Sequence, residues 1–173
     1  GMGNGYAGEL AVGLLDDDQT TPVLMMTGVA SVAGGSEYVL IVRTDGTLWG
    51  AGANDRGQLG VGTLTSPLEP VAIMSGVAMA AAGTSGTSMI LKEDGTLWAT
   101  GNNLSGEFGN GSTTSSASPV QVMTGVAQVA VGNGHTIIIK VDGSFWASGL
   151  NNHGQLGTGD TADKTTFTRM LPF

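Results

Sequence analysis

Short runs of apolar residues recur along the chain, and each is followed by a turn signal instead of a helical continuation. The clearest are YVLIVR (38–43), TSMILK (87–92) and HTIIIK (135–140), each of which ends in a cation. Runs of this length, rich in Ile and Val and bounded by Gly and Asp, are typical of buried β-strands. The pattern therefore predicts an all-β chain built from many short strands.

The apolar pattern repeats about every fifty residues, and a tryptophan marks each copy. The phrase DGTLW stands at 45–49 and 94–98, and DGSFW stands at 142–146. A glycine-rich phrase follows each tryptophan, and a fourth copy of that phrase opens the chain. These phrases are GNGYAGELAVG (3–13), GANDRGQLGVG (52–62), GNNLSGEFGNG (101–111) and GLNNHGQLGTG (149–159).

Each repeat unit predicts four short strands. A small apolar strand comes first and the cation-ended run second, and Asp-Gly then predicts a type I′ hairpin turn with two residues at positive φ. The third strand carries the tryptophan, and the fourth is a proline-containing outer strand, where proline is tolerated at a sheet edge. Four antiparallel strands per unit of this length predict a blade of a β-propeller.

The repeats divide the chain into about three and a half blades. The predicted boundaries are a partial blade at 1–28, with an outer strand near Pro22–Met26, and blades at 29–76, 77–125 and 126–173. A single blade cannot bury both of its faces, so blades gain stability by stacking on one another. Terminal blades would then expose apolar faces and strand edges. This favours a homodimer in which a second chain completes the ring, and the alternative is a piece of a longer propeller.

The third unit, GHTIIIKVDGSFWASGLNNHGQLGTG (134–159), closely resembles the repeat of the regulator of chromosome condensation family. The resemblance implies a β-propeller, with seven blades in the familiar members. A ring of seven such units needs about twice this chain. The chromatin-bound member of the family acts on a small GTPase through a basic surface and an inserted wedge, and neither is visible here. The bacterial branch with plain repeats, which includes a β-lactamase inhibitor, is the closer analogy and implies binding to protein.

Composition narrows the classes of partner. Fourteen acidic and six basic residues give a net charge of −8, and the basic residues are scattered, which argues against a nucleic-acid partner. There is no cysteine, so disulfides and thiolate metal sites are excluded. No apolar run approaches the ~18 residues of a membrane span. The sequence shows no signal peptide, and extracellular and cytoplasmic locations both stay open.

The glycine-rich loops predict turns instead of a nucleotide site. Gly3, Gly5 and Gly8 match the spacing of a dinucleotide fingerprint, but no strand precedes them and no helix follows. Glycine and asparagine both tolerate left-handed backbone, which favours a turn. The sister loops carry asparagine at the middle position (Asn54, Asn103 and Asn151).

The titratable side chains predict no catalytic, cofactor or metal site. His135 begins a second strand and favours a blade-stabilising hydrogen bond, while His153 lies in a loop and favours solvation. The three aspartates of the hairpins favour turn chemistry, and Asp16–Asp18 favour a solvated loop, with a weak cation site as the alternative. No acid–base pair recurs or converges, so we expect a protein that is not an enzyme.

The residues that vary inside the repeated loops are the candidate partner-binding set. Binding residues favour loops on a rigid scaffold, although drift at a solvent-exposed position produces the same variety. The function predicted is protein recognition or assembly without catalysis. One alternative is an inhibitor-like binder that blocks an enzyme's active site, and another is a carbohydrate-binding propeller in which tryptophans stack on sugars. The candidate residues are Tyr6, Asp55, Arg56, Leu104, Asn152 and His153.

Overall fold

Twelve short strands make up the regular structure of the protein. The computed structural model describes residues 20–22 and 24–172, and that part of the chain contains strands and turns but no helix. The prediction of an all-β chain is confirmed. The strands are β1 Val29–Gly34, β2 Tyr38–Arg43, β3 Leu48–Gly52, β4 Val71–Met74, β5 Val77–Ala82, β6 Thr87–Lys92, β7 Leu97–Gly101, β8 Ser116–Met123, β9 Val126–Val131, β10 His135–Lys140, β11 Phe145–Gly149 and β12 Lys164–Arg169.

The strands form three separate four-stranded antiparallel sheets, each in chain order: β1-β2-β3-β4, β5-β6-β7-β8 and β9-β10-β11-β12. Each sheet is one propeller blade. The register is repeated as well, because Val32, Ile41 and Trp49 stand side by side across β1, β2 and β3. The same three-strand row occurs in the second sheet (Ala80, Ile90, Trp98) and in the third (Val129, Ile138, Trp146).

The hydrophobic core lies between sheets. Leu40, Val42 and Leu48 of the first sheet pack in one cluster with Ile90 and Trp98 of the second. Because each sheet has two apolar faces, the middle sheet is buried on both sides, and burial of this kind supplies the main favourable free energy of stacking. The cluster between the second and third sheets has the same make-up (Met89, Leu91, Leu97, Ile138 and Trp146).

The hairpin between the second and third strands differs from the predicted type I′ turn, and that prediction is wrong. Gly46 N–H donates to Arg43 O at 3.0 Å and Arg43 N–H donates to Thr47 O at 2.9 Å, which closes a three-residue loop. Gly46 has φ +75°, but Asp45 is not in the left-handed region. This is a type I turn followed by a left-handed glycine, the usual three-residue hairpin. The other two hairpins are built in the same way, with Gly95 and Gly143.

The predicted partial blade at 1–28 lies largely outside the described residues. Of its predicted outer strand, Pro22 and Leu24–Met26 are described, and they form no strand. In the three complete sheets the outer strand pairs with the tryptophan-bearing third strand. Helices long and apolar enough to cross a membrane are absent from the described residues.

Candidate functional site

The loop after each third strand is held by one buried asparagine. Asn54 Oδ1 accepts the Leu59 N–H at 2.9 Å, and its Nδ2 donates to Thr63 O and Thr65 O at 2.9 and 3.0 Å. The sequence analysis attributed this asparagine to left-handed backbone, and that reason is wrong, because its φ is not positive. Its side chain is needed instead, since it satisfies three buried backbone groups. Asn103 and Asn151 make the equivalent bonds.

Each loop also fastens its own sheet to the next one. A Cβ on Gly57 would lie 2.5 Å from Ala117 Cα of β8, so only glycine allows this approach. Gly62 N–H donates to Ala117 O at 2.8 Å, and Thr100 Oγ1 of the second sheet donates to Gly57 O at 2.8 Å. The second loop is fastened to the third sheet in a similar way: Gly106 lies against Thr165, and Gly111 N–H donates to Thr165 O. Here Ser148 Oγ donates to Glu107 O, one residue further along the loop than in the first repeat.

Five of the six predicted partner-binding residues lie exposed in these loops, which share one edge of the array; Tyr6 lies outside the described residues. Asp55 Oδ1 accepts from Gln58 Nε2 at 3.3 Å, and Arg56 Nη1 donates to Ser85 O of the second sheet at 2.6 Å. Arg56 therefore also holds two sheets together. The remaining three are Leu104, Asn152 and His153.

The loops of the first and second sheets enclose a groove of about 500 Å³. Its lining includes Asp55, Arg56 and Leu104, so the structure brings three of the predicted residues together, while Asn152 and His153 lie on the third loop. Leu64 lines the same groove and was missed by the sequence analysis. Its side chain is 59% exposed and that of Leu104 is 75% exposed. A signal existed in the sequence, because the other two complete repeats carry threonine at the Leu64 position (Thr113 and Thr161).

Glu107 is a buried carboxylate in the second loop, where the other two complete repeats have Gln58 and Gln155. Its Oε2 accepts the Ser105 N–H at 2.9 Å, a bond that the glutamines also make with their loops. Its Oε1 lies 3.4 Å from Asn102 Nδ2. Burial raises the pKa of the Glu107 carboxyl, because the charged form loses water that these few donors replace only in part.

The hairpin aspartates are engaged within their own turns. Asp45 Oδ1 accepts from Thr47 Oγ1 at 2.6 Å and from Thr47 N at 3.0 Å, and Thr47 Oγ1 in turn accepts the Trp49 indole N–H at 3.0 Å. The hydrogen bond from the Thr47 hydroxyl is the main cause that lowers the pKa of Asp45. The other hairpins repeat this chain of bonds, through Asp94, Thr96 and Trp98 and through Asp142, Ser144 and Trp146.

Tyr38 reaches from the first sheet into the second. Its hydroxyl donates to Thr87 O at 2.9 Å and lies 3.3 Å from Gly83 O and 3.1 Å from Ser88 Oγ. Burial raises the pKa of the phenol to about 12. At the equivalent position of the third sheet, His135 Nδ1 lies 3.4 Å from Asn133 O. In the described part of the chain, no group of three or more His, Asp or Glu side chains is placed to hold a metal ion.

Sequence comparison decides the family. One model of the regulator of chromosome condensation (RCC1) repeat matches residues 45–90 and 94–139, and a second model of this repeat matches residues 29–58 and 126–155. Together they span most of the chain. The chain belongs to the RCC1 repeat family. The resemblance drawn from the sequence is thereby confirmed, while no curated protein matches the chain.

Solved RCC1-like propellers share the fold. Human WBSCR16 is 18% identical and superposes with a TM-score of 0.84 over 99% of this chain and 46% of its own. Prp20p from Saccharomyces cerevisiae is 21% identical, with a TM-score of 0.80 over 99% of this chain and 45% of its own. Yeast RCC1 (Prp20) in complex with Kap60 is 20% identical, with a TM-score of 0.77 over 98% and 44%. The chain thus spans less than half the length of the propellers that it matches.

The RCC1 repeats of this chain differ from one another at Leu64, Leu104 and Glu107. All three residues lie in the loops that follow the third strands, and the surface formed by these loops is called the loop edge. Leu104 occupies the position of Asp55 and Asn152, whose side-chain oxygens accept from the loop glutamine. Leucine at this position offers no acceptor to a loop glutamine. In the second loop the glutamine is replaced by Glu107. The leucine is thereby released from the loop's internal hydrogen bonding and projects into solvent.

Proposed function

We propose that the protein is a non-catalytic RCC1 propeller module that recognises other proteins through its loop edge. The observation that carries this proposal is the pair of exposed leucines in one groove, Leu64 and Leu104, at positions where the other two complete repeats have polar residues. Exposed apolar side chains that cluster at a concave site are a sign of a binding surface. Drift at solvent, the alternative explanation for variable loop residues, does not explain why two changes to leucine meet in one groove.

The groove has the make-up of a small protein interface. Two leucines form its apolar part, while Asp55 and Arg56 supply charge at its side. Interfaces commonly have an apolar centre that loses water on binding and a polar rim that sets orientation. The buried asparagines hold the loops in one conformation, so little conformational entropy is lost when a partner binds.

Proteins of the same fold are described in complex with proteins. The yeast Prp20p structure is described together with binding to Gsp1p and histones, and another structure contains Kap60 bound to yeast RCC1. These partners belong to those proteins. They support protein recognition as the use of the fold, and the loop groove is the place where we propose that it happens in this chain.

The test is affinity capture with a bait whose groove is changed to the residues of the other repeats. The double variant Leu64→Thr/Leu104→Asn introduces side chains that the sister loops already carry, so the fold is kept while the apolar pair is lost. Val141→Glu is the matched control, because Val141 is 74% exposed at the hairpin edge and the second repeat has Glu93 there.

We expect one protein to bind the wild type and the Val141→Glu control in purified form, and to bind the groove variant at least tenfold more weakly, since each leucine contributes about 1–2 kcal/mol. Equal binding by all three baits would reject the groove as the recognition site. If the captured protein is an enzyme, its inhibition by the wild type and the control, but not by the groove variant, would identify this module as an inhibitor.

We also propose that two copies of the chain assemble into one ring. The terminal sheets each have one face without a neighbouring sheet in the described part of the chain, and the chain spans less than half of the complete propellers. Sedimentation equilibrium at micromolar concentration should show a dimer. A stable monomer would contradict the assembly while leaving recognition through the groove intact.

A further inference from the structure

We propose that the partner segment recognised at the groove carries a lysine or arginine beside its apolar side chain, and that this cation enters a polar hollow next to the groove. The carboxylates of Glu37 and Asp55 would receive it there. The inference rests on the proposed recognition through the groove and adds the chemical class of the segment that is recognised.

The polar hollow lies between the first and second sheets and has a volume of about 180 Å³. Its walls come from the turn before β2, with Ser36 and Glu37, from the first glycine-rich loop, and from the turn before β6, with Thr84. Asp55 and Arg56 line both this hollow and the groove. One short segment of a partner can therefore occupy both sites.

Acceptor atoms are available in the hollow. Among the residues that the structure describes, the Glu37 carboxylate and the hydroxyls of Ser36 and Thr84 have no hydrogen-bond partner. Asp55 accepts from Gln58 Nε2 at 3.3 Å through Oδ1, which leaves Oδ2 available. Ammonium and guanidinium groups only donate, and their hydrogen bonds to carboxylates are stronger than those between neutral groups. The hollow therefore suits the side chain of a lysine or arginine.

Arg56 does not neutralise the two carboxylates. Its Nη1 donates to Ser85 O at 2.6 Å, and its side chain crosses Gly86, where a Cβ would lie 3.0 Å from Arg56 Cδ. Within residues 20–22 and 24–172 it forms no ion pair with either carboxylate. Two carboxylates and one guanidinium leave an excess of negative charge in a chain whose net charge is −8. Charge complementarity thus favours a cation at this site.

Glu37 is itself a departure from the other two complete repeats, which have Gly86 and Gly134 at its position. Those glycines have φ +84° and +77°, and Glu37 has φ +64°. Left-handed backbone is free of strain for glycine but not for glutamate, so the carboxylate is present where glycine would be more stable. Leu64 and Leu104 depart from the same two repeats in the adjoining groove. A segment with an apolar and a cationic side chain accounts for all three departures.

The experiment selects a random heptapeptide phage library on the immobilised wild-type chain. We expect enriched peptides to carry an apolar residue with a lysine or arginine close to it, at a frequency above that of the unselected library. On the groove variant Leu64→Thr/Leu104→Asn, the apolar preference should be lost.

The variant Glu37→Gly/Asp55→Asn removes both carboxylates with residues that other repeats carry. Asn152 stands at the Asp55 position and accepts from its loop glutamine at 3.3 Å, so the bond within the loop is kept. We expect this variant to retain the apolar preference and to lose the cationic one. Glu69→Gln/Glu93→Gln is the control, because it removes two exposed charges that line neither the hollow nor the groove.

Fluorescence anisotropy with one enriched peptide, labelled with fluorescein, measures the size of the effect. The carboxylate variant should bind it about 3- to 10-fold more weakly than the wild type, as expected for two exposed ion pairs, and the control should bind it equally well. Replacing the cation of the peptide with glutamine should weaken binding to the wild type but not to the carboxylate variant. Added salt should likewise weaken binding to the wild type more than to this variant.

The stability of Glu37→Gly separates binding from folding. This variant should unfold at a higher urea concentration than the wild type, because glycine removes the strain at this position. A lower urea midpoint would assign Glu37 to the fold and would overturn its role in binding.

The selection distinguishes this inference from the recognition proposal. Apolar peptides without an excess of lysine or arginine would overturn the cation site and leave the groove standing. An excess of aspartate or glutamate would assign the hollow to Arg56 and overturn the cation site too, as would a cationic preference that the carboxylate variant retains. An absence of enriched peptides would overturn the recognised segment, while affinity capture with the groove variant decides separately on recognition of proteins.

Discussion

The hydroxyl of Thr96 accepts the indole N–H of Trp98 at 3.0 Å and donates to the Asp94 carboxylate at 2.6 Å. A single hydroxyl thus connects the turn to the tryptophan that packs between two sheets. The phrase Asp-Gly-Thr-Leu-Trp therefore encodes a turn and a side-chain hydrogen-bond chain together, and each of its polar positions has a specific partner. The third repeat keeps the same chain of bonds with a serine in place of the threonine.

Thr96→Val should destabilise the protein by about 1 kcal/mol, because the partly buried indole N–H of Trp98 loses its acceptor. Thr96→Ser should unfold close to the wild type, since Ser144 performs this role in the third repeat. Urea unfolding followed by tryptophan fluorescence measures the difference. A loss in Thr96→Ser as large as in Thr96→Val would contradict this role of the hydroxyl, since serine keeps it.

Asn103→Ala should destabilise the protein by about 2–4 kcal/mol, because Phe108 N–H, Ser112 O and Thr114 O lose their partner in a buried loop. Asn152→Ala is the control, since this exposed residue makes one long bond, and it should change stability by less than about 0.5 kcal/mol. Thermal and urea unfolding give both values. Similar costs in the two variants would show that the buried asparagine does not hold the loop.

Tyr38→Phe should cost about 1 kcal/mol at neutral pH, because the phenol no longer donates to the Thr87 carbonyl of the next sheet. The ring and its apolar contacts are kept. Ser88 Oγ remains bonded to Gln58 O at 2.7 Å, so the loss is confined to the tyrosine. Urea unfolding of the two proteins side by side gives the value, and an unchanged midpoint would contradict this role.

The stability of the wild type should also fall at alkaline pH through Tyr38. Its pKa is raised to about 12 in the folded protein, above the ordinary value of 10.0, so folding favours the neutral phenol. That contribution is complete below pH 10.0 and is lost as the pH rises towards 12. The difference between the wild type and Tyr38→Phe should therefore shrink over this range, as measured by urea unfolding at a series of pH values.

Glu107→Gln should stabilise the protein at neutral pH. Burial raises the pKa of the Glu107 carboxyl, so the folded state favours its neutral form, and that contribution is lost as the pH rises through the folded pKa. A glutamine has no charge to bury, and it can accept the Ser105 N–H as the other loops do. The gain over the wild type should be larger at pH 7 than at pH 4. A gain independent of pH would exclude the buried charge as its cause.

Periodicity predicted the strands well because a strand that is buried between sheets has a strong sequence signal. The second strands begin and end where their apolar runs do, as in Tyr38–Arg43 and Thr87–Lys92. The turn type was predicted wrongly because Asp-Gly suits two hairpin geometries, and the choice depends on where Gly46 falls in the loop. The role of Asn54 was also missed, since its partners Thr63 and Thr65 lie far along the loop.

The candidate site was only partly predictable. Variation between repeats identified Asp55, Arg56 and Leu104, which line the groove. The same comparison extended to the second half of the loop would have found Leu64. The contact of Arg56 with Ser85 could not have been predicted, because it depends on how far one loop reaches across the neighbouring sheet.

The contacts that fasten each glycine-rich loop to the following sheet involve the backbone of that sheet and small side chains. Gly57 and Gly106 meet Ala117 and Thr165, and the amides of Gly62 and Gly111 bond to the carbonyls of those same two residues. A unit that is duplicated in tandem would therefore already contain the residues that contact the units before and after it. Growth of such an array by gene duplication requires no matching mutation elsewhere, which accounts for how one unit can be multiplied while its loop tips diverge.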